Sequence, residues 1–248
     1  MKIHQLEGYI QNIFLIEYPN KLLLLDGCCR ADVAMLKRFI CEQLARPLSQ
    51  LELVMVTHMH PDHAGGASYL QRRFKLSIAG AEHPGEWYQG IAGRCKHLVD
   101  LALAHYVAKR HRRAKANLWY SPKLNFTHRL KDGQGLPGFE DWLVYFTPGH
   151  TDRDLSLYHP ATKTLYVADC ILRVKGSLIC PFPISNPSLY RQSIERFSQM
   201  QVDNYLLAHG EGGKINQAEL SQLQQLCPEQ ATSYKGFLGE LLRKRLTA

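Results

Sequence analysis

The chain has no apolar run long enough to cross a bilayer, no Cys-x-x-Cys pair, no internal repeat and no low-complexity tract. A membrane-spanning protein, a zinc ribbon and a solenoid are thereby set aside. The segment Met1 to Glu7 also lacks the uninterrupted apolar core of a secretion signal. Seven cysteines form an odd set, which argues against a disulfide framework and suits a reducing compartment, so a cytoplasmic setting is expected. Acidic residues are comparatively few: 22 Asp and Glu stand against 30 Lys and Arg, a net charge of +8.

Hydrophobic residues make up 45% of 248 positions, enough for one large core or two small ones. Ligand-type residues run from position 58 to position 209, and a boundary between them would divide one site. A single domain spanning 1–248 is therefore expected.

The densest chemical signal is Thr57-His58-Met59-His60-Pro61-Asp62-His63, directly behind the largely apolar run Leu51 to Val56. A strand that stops at a turn can aim alternating side chains at one point. Imidazole and carboxylate groups suit a divalent transition metal. Four ligands on one turn cannot all surround a single ion without distortion, so the segment reads as half of a two-metal site. Three later strand-like runs each end in a ligand-type residue: Trp142 to Phe146 breaks at Thr147-Pro148-Gly149 and presents His150, Thr164 to Ala168 ends in Asp169, and Asn204 to Ala208 delivers His209 before Gly210. The remaining histidines, His4, His83, His97, His105, His111, His128 and His159, read as packing or surface residues, with His83 also a candidate pocket residue because it follows a strand.

Strands are expected at Ile13 to Ile16, Lys21 to Leu25 and Leu76 to Ala79, with Asp154 to Tyr158 pairing Thr164 to Val167. Helices are expected at Val33 to Leu44 with Asp32 as N-cap, Gly65 to Phe74, Ser188 to Met200, Gln217 to Gln225 and Tyr234 to Arg245. The order fits two sheets packed together with helices outside.

The segment 87–129 separates His63 from His150 by more chain than two strands require and reads as a basic insertion. His97 to Ala116 is expected to be helical, with Arg94, Lys96, Lys109, Arg110, Arg112, Arg113 and Lys115 against the single acid Asp100. Two apolar stripes are candidates for its buried face: Leu98, Leu101, Ala102 and His105, or Val99, Leu103, Tyr106 and Val107. Three roles compete for it. It packs on the domain or on a second subunit as a solvated basic helix, it covers the metal site and draws in an anionic substrate, or it contacts nucleic acid or a membrane surface.

The pattern His-x-His-x-Asp-His followed by separate His, Asp and His residues resembles the metallo-β-lactamase-fold hydrolases. The likeness extends from Asn12 to Gly213 and includes Leu22 to Gly27, Thr147 to Thr151 and Ala208-His209-Gly210. It implies an α/β fold, a four-layer αββα sandwich carrying the helical insertion. It also implies His58, His60 and His150 on a first metal, Asp62, His63 and His209 on a second, and Asp169 between them, with Asp62 and Asp169 as the catalytic carboxylates. Asp26 closes a strand where the family supports its metal turn. β-Lactamases proper carry Cys or Ser at the bridging place, so Asp169 makes the chain look more like the glyoxalase II, lactonase and phosphodiesterase branches.

The expected activity is hydrolysis of an ester, thioester or lactone bond in a small molecule, with two divalent ions as cofactors. Zinc is the leading metal, with iron and manganese as alternatives. A phosphodiesterase or nuclease, an iron-dependent oxidoreductase and a non-catalytic binding module are the competing functions. Arg173, Lys175 and Tyr190 are candidate substrate residues. Cys170 reads as a small packing residue.

Overall fold

A computed structural model describes residues 1–233. The helix expected at Tyr234 to Arg245 lies outside the described residues. The chain begins with an antiparallel series, β1 (Lys2–Glu7), β2 (Asn12–Glu17) and β3 (Leu22–Leu24), then crosses over through α1 (Val33–Arg38) to β4 (Leu51–Val56). Next come α2 (Pro61–Ala64), α3 (Ala67–Phe74), β5 (Ser77–Ala81), α4 (Gly90–Arg110) and β6 (His128–Leu130). These six strands form one sheet in sequence order, with β3 to β6 paired in parallel.

Four more strands follow: β7 (Gly135–Leu136), β8 (Phe139–Phe146), β9 (Leu155–His159) and β10 (Thr164–Tyr166). A separate hairpin of β11 (Leu172–Val174) and β12 (Ser177–Ile179) precedes α5 (Pro187–Ser198), β13 (Asn204–Leu206) and α6 (Gln217–Leu226). The second sheet has the order β13-β10-β9-β8-β7, and only β13 and β10 are parallel.

Continuous apolar runs in the strands follow from burial on both faces. In β2 and β3, Leu15, Leu22 and Leu24 pack outward under α1 and α3 with Leu36 and Leu70, while Phe14, Ile16 and Leu23 pack inward. The inward set meets Trp142, Val144, Leu157 and Tyr166 of the second sheet. On the far side, Leu165 and Tyr205 pack against Ile194, Phe197, Leu220 and Leu223 of α5 and α6. The layers are thus helix, sheet, sheet, helix, as the resemblance implies. Each fully buried Leu or Ile in these faces contributes about 1.5–3 kcal/mol relative to exposure.

Several expectations are corrected in detail. The first helix is α-helical only over Val33–Arg38 and continues as a π turn over Phe39–Gln43. Asp32 precedes it without capping through its side chain, because its carboxylate accepts the N–H groups of Tyr9 and Cys29 instead. The insertion helix starts earlier and ends earlier than expected. Neither proposed stripe is its buried face: His97, Asp100, Leu101, Ala104 and Ala108 are buried, and Leu98 is exposed. The buried polar residue Asp100 accepts a hydrogen bond from the hydroxyl of Tyr88, so polarity does not turn it to solvent. Strands β1, β6, β7, β11 and β12 are additional to those expected.

Candidate metal centre

The metal-binding turn is built by a change of backbone state. His58 and His60 lie on the extended segment leaving β4, and Pro61 opens the short helix α2, which carries Asp62 and His63. Two residues apart on an extended chain, His58 and His60 face one point, while the helical turn swings Asp62 and His63 toward another.

Two clusters result. Around the first point, His58 Nε2 and His150 Nε2 each stand 3.0 Å from His60 Nδ1, and 3.7 and 3.6 Å from Asp169 Oδ2. Around the second, His63 Nε2 and His209 Nε2 stand 3.0 and 3.2 Å from Asp169 Oδ1, and 3.6 and 3.2 Å from Asp62 Oδ2. Tetrahedral zinc with ligands at about 2.0–2.1 Å separates its ligand atoms by about 3.3 Å. Both sets fit such an ion. Asp169 offers one oxygen to each set, and all seven expected ligands converge.

The outer nitrogens fix which ring atom is free. His63 Nδ1 donates to Asp26 Oδ2 at 2.7 Å, His150 Nδ1 to the carbonyl of Pro183 at 2.6 Å, and His209 Nδ1 to the carbonyl of Ile10 at 3.1 Å. Each turns Nε2 toward the centre, where it is the nitrogen left to bind a metal once it has lost any proton. His63 Nε2 and Asp169 Oδ1 are buried 3.0 Å apart and have no hydrogen-bond partner outside the cluster. Orphaned buried polar atoms are rare, and a cation satisfies both. Asp26 supports the turn as expected: beyond His63 it accepts from Thr57 Oγ1 at 2.6 Å and Tyr166 OH at 2.9 Å. Gln11, which sequence reasoning missed, donates to the carbonyl of Asp62 and so holds α2 from the β1–β2 loop.

Backbone conformation is equally specific. Ala168, immediately before Asp169, is left-handed at φ 46°, an unfavourable state for a residue with a Cβ. Gly149 precedes His150 at φ 148°, and a Cβ there would lie 2.5 Å from the Cα of Tyr190. Only glycine lets α5 approach this ligand so closely.

Burial, reinforced by the neighbouring histidines, drives His58 and His60 toward the neutral imidazole that metals require. For His63 and His209 burial acts the same way, but Asp169 and Asp62 outweigh it; His209 is pushed up to about 10. Without a cation, these two rings therefore hold protons for the carboxylates.

The centre opens into a cleft of about 660 Å³. Arg173 and Lys175 line it, as do Leu103, Ala104 and Val107 of the insertion helix. Tyr190 does not: its ring is fully buried and its hydroxyl donates to the carbonyl of Cys170 at 3.0 Å, so it packs the core. His83 lines a different cavity of about 300 Å³, behind His58 and Met59. Cys170 is buried, and burial raises its thiol pKa well above the ordinary value, which fits packing. No helix among the described residues is long and apolar enough to cross a membrane.

The segment 87–129, whose last two residues belong to β6 of the first sheet, also reaches the turn that carries His58 and His60. The hydroxyl of Tyr120 donates to the carbonyl of Met59, between His58 and His60, and the Tyr88 hydroxyl oxygen lies 3.1 Å from the same carbonyl. Asp100 Oδ2 stands 3.9 Å from His60 Nε2. Part of the insertion's positive charge is taken up in ion pairs, such as Arg113 with Glu7 and Lys123 with Glu86.

Comparison with known proteins identifies the family and the fold. The family model described as the metallo-beta-lactamase superfamily matches residues 6–209. Probable metallo-hydrolase YqjP of Bacillus subtilis (strain 168) is 26% identical over 196 residues, covering 70% of this chain and 60% of its own length. Probable metallo-hydrolase YflN of the same organism is 20% identical over 250 residues, covering 89% of each. Among solved structures, the metallo-beta-lactamase family protein TTHA1429 from Thermus thermophilus aligns with a TM-score of 0.69 at 18% identity, over 90% of this chain and 78% of that one. TTHA1623 in a di-iron-bound form aligns with a TM-score of 0.57 at 19% identity, over 92% and 99%.

Proposed function

This chain belongs to the metallo-beta-lactamase superfamily, and from that membership and its seven converging ligands we propose a binuclear metal-dependent hydrolase of an ester, thioester or lactone bond. The observation that carries the reading is the division of Asp169, with Oδ2 toward His58, His60 and His150 and Oδ1 toward His63 and His209. Two dications held by these residues would lower the pKa of water toward neutrality and polarise a carbonyl or phosphoryl oxygen. The chain's own contribution is placement. Asp62 and Asp169 line the cleft, where they would hold the ions and orient a water between them. The walls from α4 and the β11–β12 hairpin limit bulk water around the substrate.

A bridging carboxylate rather than Cys or Ser supports an activity other than β-lactam cleavage. The relatives named as probable metallo-hydrolases support hydrolysis, and zinc suits the imidazole-rich set. The di-iron-bound form of TTHA1623 supports iron as the second metal reading. Seven unpaired thiols support a reducing, cytoplasmic setting.

The deciding experiment is a panel of thioesters, lactones, aryl esters and bis-p-nitrophenyl phosphate tested on zinc-, manganese- and iron-loaded protein. Turnover of a carboxylic substrate that is lost in His60→Ala is expected. Stoichiometric iron after native purification with no esterase activity overturns the zinc-hydrolase reading, and a preference for the phosphodiester moves the chain to that branch.

A further inference from the structure

The cleft above the metals has an apolar wall with a cation set into it. Leu103, Ala104 and Val107 line it from the insertion helix, and Leu172, Val174 and Ile179 from the hairpin. Tyr106, Val174 and Ile179 are 44%, 47% and 37% exposed, among the few large apolar side chains the fold leaves uncovered, and all three line this cleft. Exposed apolar surface gathered in one concave place marks a binding site.

Within that wall, the Nε and Nη2 atoms of Arg173 are shielded from solvent and have no hydrogen-bond acceptor among the described residues. These two atoms lie on the same edge of the guanidinium and form the fork that grips a carboxylate or phosphate through two parallel bonds. A shielded, charged donor without an acceptor is destabilising, so its partner is expected to arrive from outside. The acids around the cleft have other engagements: Asp62 and Asp169 with the ligand histidines, Asp100 with Tyr88, and Glu7 with Arg113.

Arg173 is also fixed in place. Its main-chain N–H donates to the carbonyl of the ligand His209 at 2.9 Å, and a Cβ at Gly210 would come within 2.0 Å of its carbonyl oxygen. The Lys175-Gly176 turn, with φ of 51° and 83°, closes the hairpin that carries it.

We propose that Arg173 is the anion-binding residue for an amphipathic substrate, one whose carboxylate or phosphate sits on the guanidinium fork while its carbon chain lies between α4 and the hairpin. The proposal rests on the hydrolase reading for the bond that is cut, and not for the binding itself.

Isothermal titration of zinc-loaded full-length protein with octyl phosphate, octanoate, inorganic phosphate and 1-octanol tests it. Octyl phosphate or octanoate is expected to bind at least about tenfold more tightly than inorganic phosphate or octanol, since the charged fork and the apolar wall act together. Whichever of the two binds better names the head group. Arg173→Gln is expected to lose about tenfold or more, and Arg173→Lys, which keeps the charge without the fork, to fall between. Ile179→Ser is expected to weaken the octyl compounds while leaving inorganic phosphate unchanged, and it serves as the second test if Arg173→Gln fails to fold. Equal octyl phosphate affinity in wild type and Arg173→Gln, or no gain from the octyl chain, overturns the proposal. Arg173-dependent binding without turnover of any ester would remove the hydrolase reading and leave the anion subsite standing. Ester turnover with Arg173-independent binding would do the reverse.

Discussion

Asp26 stands directly behind His63, its Oδ2 accepting the ring Nδ1–H at 2.7 Å while the opposite ring nitrogen faces Asp169 at 3.0 Å. The same carboxylate gathers Thr57 and Tyr166, so one buried acid from the end of β3 fixes a ligand, the start of the metal turn and the second sheet. Replacing it by alanine leaves three buried polar partners unmet. Asp26→Ala is expected to weaken binding at the second metal subsite by about 10- to 100-fold, with a smaller effect at the first. Metal titration followed by competition with a chelator would measure both. Equal losses at the two subsites would mean that Asp26 holds the turn as a whole rather than His63.

Metal uptake should release protons. In the metal-free chain the carboxylates of Asp169 and Asp62 hold His63 and His209 protonated at neutral pH, against the opposing effect of burial. A dication competes for the same nitrogens, so binding at pH 7.5 is expected to release about two protons or more and to weaken as pH falls. Calorimetric titration of zinc in buffers of different ionisation enthalpy counts them. Zinc binding with no buffer dependence would show that these rings are neutral before the metal arrives.

Asp32 gives a pH signature away from the metals. Burial pushes its pKa up to about 6 although the N–H groups of Tyr9 and Cys29 oppose the shift. The folded value exceeds the unfolded one of about 3.9, so the folded chain binds this proton more tightly. The contribution to stability is complete below about pH 4 and is lost as pH rises through about 6. In metal-free protein, wild type is expected to lose about 2–3 kcal/mol relative to Asp32→Asn between pH 4 and 7.5. Urea unfolding across that range reads the difference, and a flat difference would show that Asp32 ionises in the fold as it does in the open chain.

The sequence was most legible where apolar runs stop. His58 and His63 announce themselves by crowding, and His150, Asp169 and His209 by ending β-type runs before a turn. The resemblance then divided the seven between two ions; in the structure His58, His60, His150 and Asp169 form one group and Asp62, His63 and His209 another. Gln11 and Asp100 carried no such signal, because their roles depend on tertiary approach from the β1–β2 loop and from α4. The insertion helix misled for a related reason. Its buried face contains His97 and Asp100, which a hydrophobic stripe cannot reveal: Asp100 accepts from Tyr88, and His97 packs edge-on against the rings of Tyr88 and Tyr120. The β11–β12 hairpin is only three residues on a side, too short for alternation to register, and Lys175-Gly176 was its sole local mark.

The ligands are shared between the two leaves of the sandwich: His58, His60, Asp62 and His63 leave β4 in one sheet, while His150, Asp169 and His209 come from the other. A loaded centre is therefore a clasp across the open edge of the molecule, and the leaves meet there through charge where elsewhere they meet through Phe14, Trp142 and Tyr166. Stripped of cations, the chain keeps its spine, and the mouth is left to the His63–Asp169 and His209–Asp62 pairs.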